Sequence, residues 1–151
     1  MNWKLIVVGG VVFYAVMFVI SIPSGIFVHG PEGMLNDVYR ANESFWRPEL
    51  NQNPPDMAAL MPVWIATGLV TTLIMTAIYG CLRPGLGRGW VAGAKYGLLL
   101  SVLAACFMAG WSGLFNLPYK LWIVWAVEMT FYYVPGGAAL GWVAEKVAPQ
   151  D

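Results

Sequence analysis

Charge is what this sequence has least of. Only 11% of its 151 residues are Asp, Glu, Lys or Arg, where a soluble domain carries about a quarter. Too few polar side chains are present to clothe a water-facing globule. Eight basic residues balance eight acidic ones and lie scattered along the chain. With no basic run to match a phosphate backbone, nucleic acid is excluded as a partner. A single histidine, His29, does not furnish a metal-ligand set, and no CxxC, HExxH, Walker or dinucleotide fingerprint occurs. Nor do Ser-His-Asp or Cys-His partners assemble: His29 falls at the outer end of an apolar run, and the one candidate acid, Glu128, lies much deeper. No cofactor is implied, and nothing in the pattern points to an enzyme. The two cysteines, Cys81 and Cys106, sit in different apolar runs roughly 20 Å apart in depth at about 1.5 Å per residue. That gap is too wide for a disulfide, so both read as packing residues.

What is present is hydrophobicity: 59% of residues are apolar and the mean hydropathy is +0.65. Four runs, at about 5–28, 58–80, 90–114 and 119–143, are long enough to cross about 30 Å of hydrocarbon. The expected fold is an all-α, integral membrane four-helix bundle in a single transmembrane domain. The first run is longer than the ~7–15 residues of a signal-peptide core and reads as an uncleaved helix. Lys4, Arg83, Arg88, Lys95 and Lys146 flank one side of the spans, against Arg40, Arg47 and Lys120 on the other. This bias predicts cytoplasmic termini and an outer loop at 29–57. Trp3, Trp90 and Trp142 then mark the inner ends, and Trp64, Trp111 and Trp122 the outer ends, as expected of a two-sided aromatic belt.

The first and third runs end in related tetrads, "SGIF" (24–27) and "SGLF" (112–115), while the second and fourth carry Trp-Ile pairs at 64–65 and 122–123. Two readings stand: an internal duplication of a helical hairpin about an axis along the membrane normal, or chance matches in apolar sequence. The hairpins differ in their outer connections. "NLPY" (116–119) is a tight turn, whereas the loop at 29–57 carries Leu35, Val38, Tyr39, Phe45 and Trp46 at near-helical spacing between Pro31 and Pro48. A short amphipathic helix is expected there, on the outer surface of the bundle or in the headgroups. Trp46 and Arg47 are the loop's candidate contact residues, although a hydrated surface role is the plainer reading for Arg47 and for His29.

The segment "SFWRP" (44–48), followed by a proline-rich approach to the second span, resembles the S-x-W-R-P outer loop of a family of small uncharacterised bacterial membrane proteins. The third span's "GAKYGLLL" (93–100) is similar to that family's G-x-x-Y-G-L pattern, and Pro118 matches its proline turn into the fourth helix. The resemblance implies a four-helix protein of the bacterial inner membrane. It brings no catalytic residues.

Small residues recur at every fourth position of the third span: Gly93, Gly97, Ser101, Ala105, Ala109 and Gly113. Such a ridge lets helix backbones approach closely in lipid. Gly137 and Gly141 of the fourth span lie at the depth of Gly93 and Gly97, so a close crossing is predicted there, with Gly9 and Gly10 of the first span at the same level. Pro135 removes a backbone donor, and a bend near 131–135 is expected. Glu128 stands eight residues past Lys120, about 12 Å along the helix axis. Ionised and facing lipid, it would cost several kcal/mol, so it must turn inward, pair, or hold a proton. Tyr132 lies one turn away on the same face, and Thr71 and Thr72 of the second span offer hydroxyls at comparable depth.

Glu128 therefore carries three readings: an acid that glues the fourth helix to the second, a proton-exchanging group in the path of a small solute, or a contact for a lipid, a quinone-like molecule or a partner helix. For the whole chain, two functions are expected to compete. One is a non-enzymatic accessory or scaffold subunit, docking other membrane subunits or further copies of itself. The other is a small transporter or an apolar-ligand or lipid binder built on Glu128.

Overall fold

A computed structural model describes residues 2–52 and 55–150. Its four long helices are α1 (Gly10–Phe27, entered through a π-helical turn at Leu5–Gly9), α3 (Met57–Leu86), α4 (Gly89–Ser112) and α5 (Tyr119–Val147). A six-residue α2 (Asn36–Ala41) and two 3-10 turns, Glu43–Phe45 and Pro48–Leu50, lie in the connection between α1 and α3.

The long helices form because apolar runs in lipid satisfy their backbone only internally. Local signals set their ends. The Asp56 carboxylate caps α3 by accepting the Ala59 N–H at 3.1 Å. Gly87 and Gly89 hold φ of 101° and 67°, the left-handed backbone that turns α3 into α4. Two helices run past the expected spans. α3 continues six residues beyond Gly80 and α5 four beyond Val143, because Arg83 and Glu145 in those added turns hold each other. Pro23, Pro62, Pro84 and Pro135 all lie inside helices, and α5 continues through Pro135 without a break.

Three of the long helices, spanning Leu5–Phe27, Met57–Leu86 and Gly89–Ser112, are long and apolar enough to cross a membrane. The chain is an integral membrane helical protein. The helix expected as the fourth span, α5, is not among these three. α5 is long enough, but Glu128, Thr130, Tyr132, Tyr133 and the Pro135-Gly136-Gly137 segment dilute its hydropathy. It also buries nine residues, more than any other helix. The lesser apolarity of α5 fits a helix that faces protein on several sides.

The end of the bundle that holds both termini and the α3–α4 turn (the terminal end) is packed backbone to backbone. Gly93, Gly97, Ser101, Gly137 and Gly141 are all buried. A Cβ at Gly93 or Gly141 would collide with the backbone of the facing helix, and one at Gly97 with the Tyr133 carbonyl. Gly9 and Gly10 bring α1 in against Leu140 and Leu73. Phe13, Tyr79, Tyr96, Leu140 and Ala144 fill this core, and the Tyr96 hydroxyl donates to the Met75 carbonyl at 2.6 Å, tying α4 to α3. Arg83, only 3% exposed, closes the end. It donates to the Ala148 carbonyl and, at 2.7 Å, to Glu145, which also accepts the Gly89 N–H at 3.1 Å.

The opposite end, carrying the loop, is built differently. Beyond Ser101, α4 has no buried residue, and a Cβ at Gly110 would meet nothing within 4 Å. The small-residue ridge therefore serves as a crossing only in its terminal half; Ala105, Ala109 and Gly113 do not continue it. Between Met57 and Val70, α3 buries only Leu60. Aromatic rings and the loop fill this end instead. α2 is shorter than the amphipathic helix expected, because the chain breaks into 3-10 turns after Asn42. It lies on α5, with Leu35 and Val38 buried against Leu121 and Trp122. Cys81 and Cys106 are free and exposed, which corrects their reading as packing residues.

Candidate functional site

Glu128 sits at the centre of a polar network in the loop-end half of the bundle, and its side chain is 7% exposed. One of its oxygens, Oε1, accepts from the Ser24 hydroxyl and, at 2.5 Å, from the Tyr132 hydroxyl. His29 Nε2 lies 3.0 and 3.1 Å from the two carboxylate oxygens. Tyr132 reaches Glu128 because residues four apart on a helix share a face. Ser24 and His29 come from α1 and the turn after it.

His29 was expected to remain at the outer surface, well away from the deeper acid. That expectation is wrong. Ser24 in the last turns of α1 lies level with Glu128, and His29 is five residues further, about 7.5 Å along the axis. The two side chains close that distance together. The loop also folds back on α1, with the Met34 N–H donating to the Phe27 carbonyl at 3.1 Å and the Leu35 N–H to the Val28 carbonyl at 3.0 Å. The partner helix for Glu128 is thus α1 rather than α3. Thr72 is buried but donates to its own helix at the Leu69 carbonyl, 3.0 Å away. Thr71 is exposed beside a shallow surface notch with Ala66, Thr67 and Val70.

Aromatic rings pack around the pair. Tyr39 of α2 stacks on His29, with centroids 5.8 Å apart and planes 18° from parallel, while its hydroxyl lies 2.6 Å from His29 Nδ1. Trp125 Nε1 donates to that same hydroxyl at 3.3 Å. Burial, opposed by the Trp125 hydrogen bond and reinforced by the Glu128 charge, pushes the Tyr39 hydroxyl up to about 12. It therefore stays neutral at physiological pH. The Tyr39 hydroxyl thus links Trp125 to His29 Nδ1, while His29 Nε2 faces the Glu128 carboxylate. Ser24, Tyr132 and His29 together converge on the carboxyl group.

Trp46 packs edge-on against Tyr39 and Trp125, at centroid distances of 5.0 and 6.2 Å. Its indole N–H and that of Trp122 are buried without hydrogen-bond partners. Arg47 points away, pairing with Glu49 at 2.9 Å with 63% of its side chain exposed. Of the two loop contact candidates, only Trp46 joins the cluster. Among the described residues, no three His, Cys, Asp or Glu side chains gather as a metal site.

No family model matches this chain, and no curated protein or solved structure is significantly similar to it. The site must be read from its own chemistry. A carboxylate in apolar surroundings, reached from the loop end through a partly exposed imidazole, can bind a proton or a cation. Ser24 does not form a nucleophilic triad, since its hydroxyl meets the carboxylate and not the imidazole.

Proposed function

We propose that this protein is a non-enzymatic accessory or scaffold subunit of a membrane assembly, docking other membrane helices along α3. One observation carries the reading: 11% of the apolar stretch of α3 is buried inside the chain, against 28% for α1 and α4. Val63, Val70, Ile74 and Ile78 are exposed along it. A helix so little held by its own chain is the natural surface for another, and small or hydroxyl-bearing residues such as Ala66, Thr67 and Thr71 allow close approach. In this reading α5 is the fourth span, both termini face the cytoplasm, and the membrane is the bacterial inner membrane of the family with the S-x-W-R-P loop. Photocrosslinkers at Val70 and Ile74 should trap a protein adduct of defined mass in membranes, while the same group at exposed Phe107 of α4 should trap lipid alone. Lipid adducts at all three positions would sink the reading.

A second reading rests on a different observation. The buried Glu128 is joined directly to His29, whose side chain is 34% exposed. This supports a small transporter or ligand binder with Glu128 at its site. Glu128→Gln should then abolish ligand retention in a protein that still folds. A variant that keeps full retention and only loses stability makes Glu128 a structural tie.

A further inference from the structure

Resting on the first reading, that α3 docks another membrane helix, we infer that its partner is α3 of a second copy of this chain. The two copies lie parallel, paired through Val63, Thr67, Val70 and Ile74 about a twofold axis along the membrane normal. The inference starts from one hydroxyl. Among the described residues, Thr71 is the only serine or threonine of the four long helices whose hydroxyl finds no acceptor. The other threonines of α3 turn back on their own helix: Thr67 donates to the Val63 carbonyl at 2.7 Å, Thr72 to that of Leu69 at 3.0 Å and Thr76 to that of Thr72 at 2.7 Å. Thr71 is exposed fourteen residues from Met57 and fifteen from Leu86, hence at mid-depth, where lipid tails offer no acceptor. Another helix can supply one.

Spacing identifies that helix. Val63, Thr67, Val70 and Ile74 follow one another at intervals of four, three and four, the period of a two-helix seam. Ala66 and Thr71 flank this seam on opposite sides, five residues apart. In a parallel pair, residues with that offset face each other, as the g and e positions of successive heptads do. Thr71 of one copy therefore lies against Ala66 of the other, and the same two residues make the reverse contact, as a twofold interface requires. A methyl side chain there leaves the hydroxyl room to reach the facing main-chain carbonyls, each of which keeps a second lone pair inside a helix. The shallow notch among Ala66, Thr67, Val70 and Thr71 is the space this approach uses. Charge agrees with a like partner. From Met57 to Leu82 no side chain is charged, so a copy in register sets no like charges against each other in the hydrocarbon.

The test uses the full chain in membranes, with Cys81→Ala and Cys106→Ala removing the native thiols. On mild oxidation Val70→Cys should form a disulfide-linked homodimer, whereas Ile65→Cys, exposed on another side of the same helix, should stay monomeric. In phospholipid vesicles, energy transfer between two labelled populations of the chain reads the affinity. Ala66→Leu should weaken pairing about tenfold or more and Thr71→Val about threefold or more, while Thr71→Ser should pair almost as the wild type does. Ala66 and Thr71 are exposed in the single chain, so these substitutions leave its fold in place. Equal homodimer yields from Val70→Cys and Ile65→Cys would overturn the seam, and unaltered pairing by Thr71→Val would overturn the role given to its hydroxyl. Should Val70→Cys stay monomeric while a photocrosslinker at Val70 traps a protein other than a second copy, self-pairing is overturned and docking along α3 stands. With no protein adduct at either Val70 or Ile74, both fall.

Discussion

The two ends of this bundle each bury one charged residue against a partly exposed partner, with the signs reversed. At the terminal end the buried member is a cation, Arg83, and its partner Glu145 is 33% exposed; at the loop end it is an anion, Glu128, with His29 34% exposed. The difference lies in what each can do. Arginine does not lose its proton in proteins, so the terminal pair is a permanent tie across α3, α4 and α5. The loop-end pair joins two titratable groups, backed by hydroxyls and rings that leave its hydrogen bonds rearrangeable. Packing follows the same division. Glycines bring backbones into contact where the tie is permanent, and aromatic side chains separate the helices where it is not.

The largest effect should come from filling the seam. Gly97→Val drives a side chain into the backbone at Tyr133 and should cost about 3 kcal/mol or more in reversible detergent unfolding. Ala109→Val, on the same ridge but exposed, should be silent. If both cost the same, the two halves are not packed differently. Next, Arg83→Met should cost about 3 kcal/mol, since it frees the ends of three helices at once. Glu128→Gln should cost less, about 1–2 kcal/mol, because the amide keeps an acceptor for Ser24 and Tyr132 and His29 is partly open to water. An opposite ranking of these two substitutions would remove the distinction between a fixed and a rearrangeable pair.

Tyr132→Phe should be smaller again, about 1 kcal/mol, as the carboxylate retains Ser24 and His29. The smallest concerns Asp37 and Lys120, an exposed pair at the loop end. The Lys120 hydrogen bond holds the Asp37 carboxyl below its ordinary 3.8. Its contribution is therefore present above that value and lost as pH falls through the lower folded value. Because the pair is open to solvent, Asp37→Asn should leave the melting temperature at pH 7 unchanged, and a clear drop would mean that this contact, too, pins the loop.

Much of this protein was legible from residue order because the relevant interactions are local or periodic. Apolar run length produced the helices, and four-residue spacing placed Gly93, Gly97, Gly137 and Gly141 on facing ridges. The same spacing argument failed for Ala105, Ala109 and Gly113, since a ridge states only that a backbone can approach, not that one does. The error over His29 has a similar cause. Depth counted along separate helices treats the loop as a surface cap, whereas the chain after α1 folds back and sends the imidazole inward. A signal was available: Ser24 and His29, five apart at the end of an apolar run, are polar groups that also need partners.

By itself the sequence determined the solvent, the helices and the level of the close crossing, because hydrophobicity and helical period act over neighbouring residues. Only the tertiary structure decided that Glu128 meets residues 99 and 104 positions away and that α3 is left largely uncovered. Those outcomes depend on which helix faces which, and a carboxylate in lipid takes whichever donors the packing brings within reach.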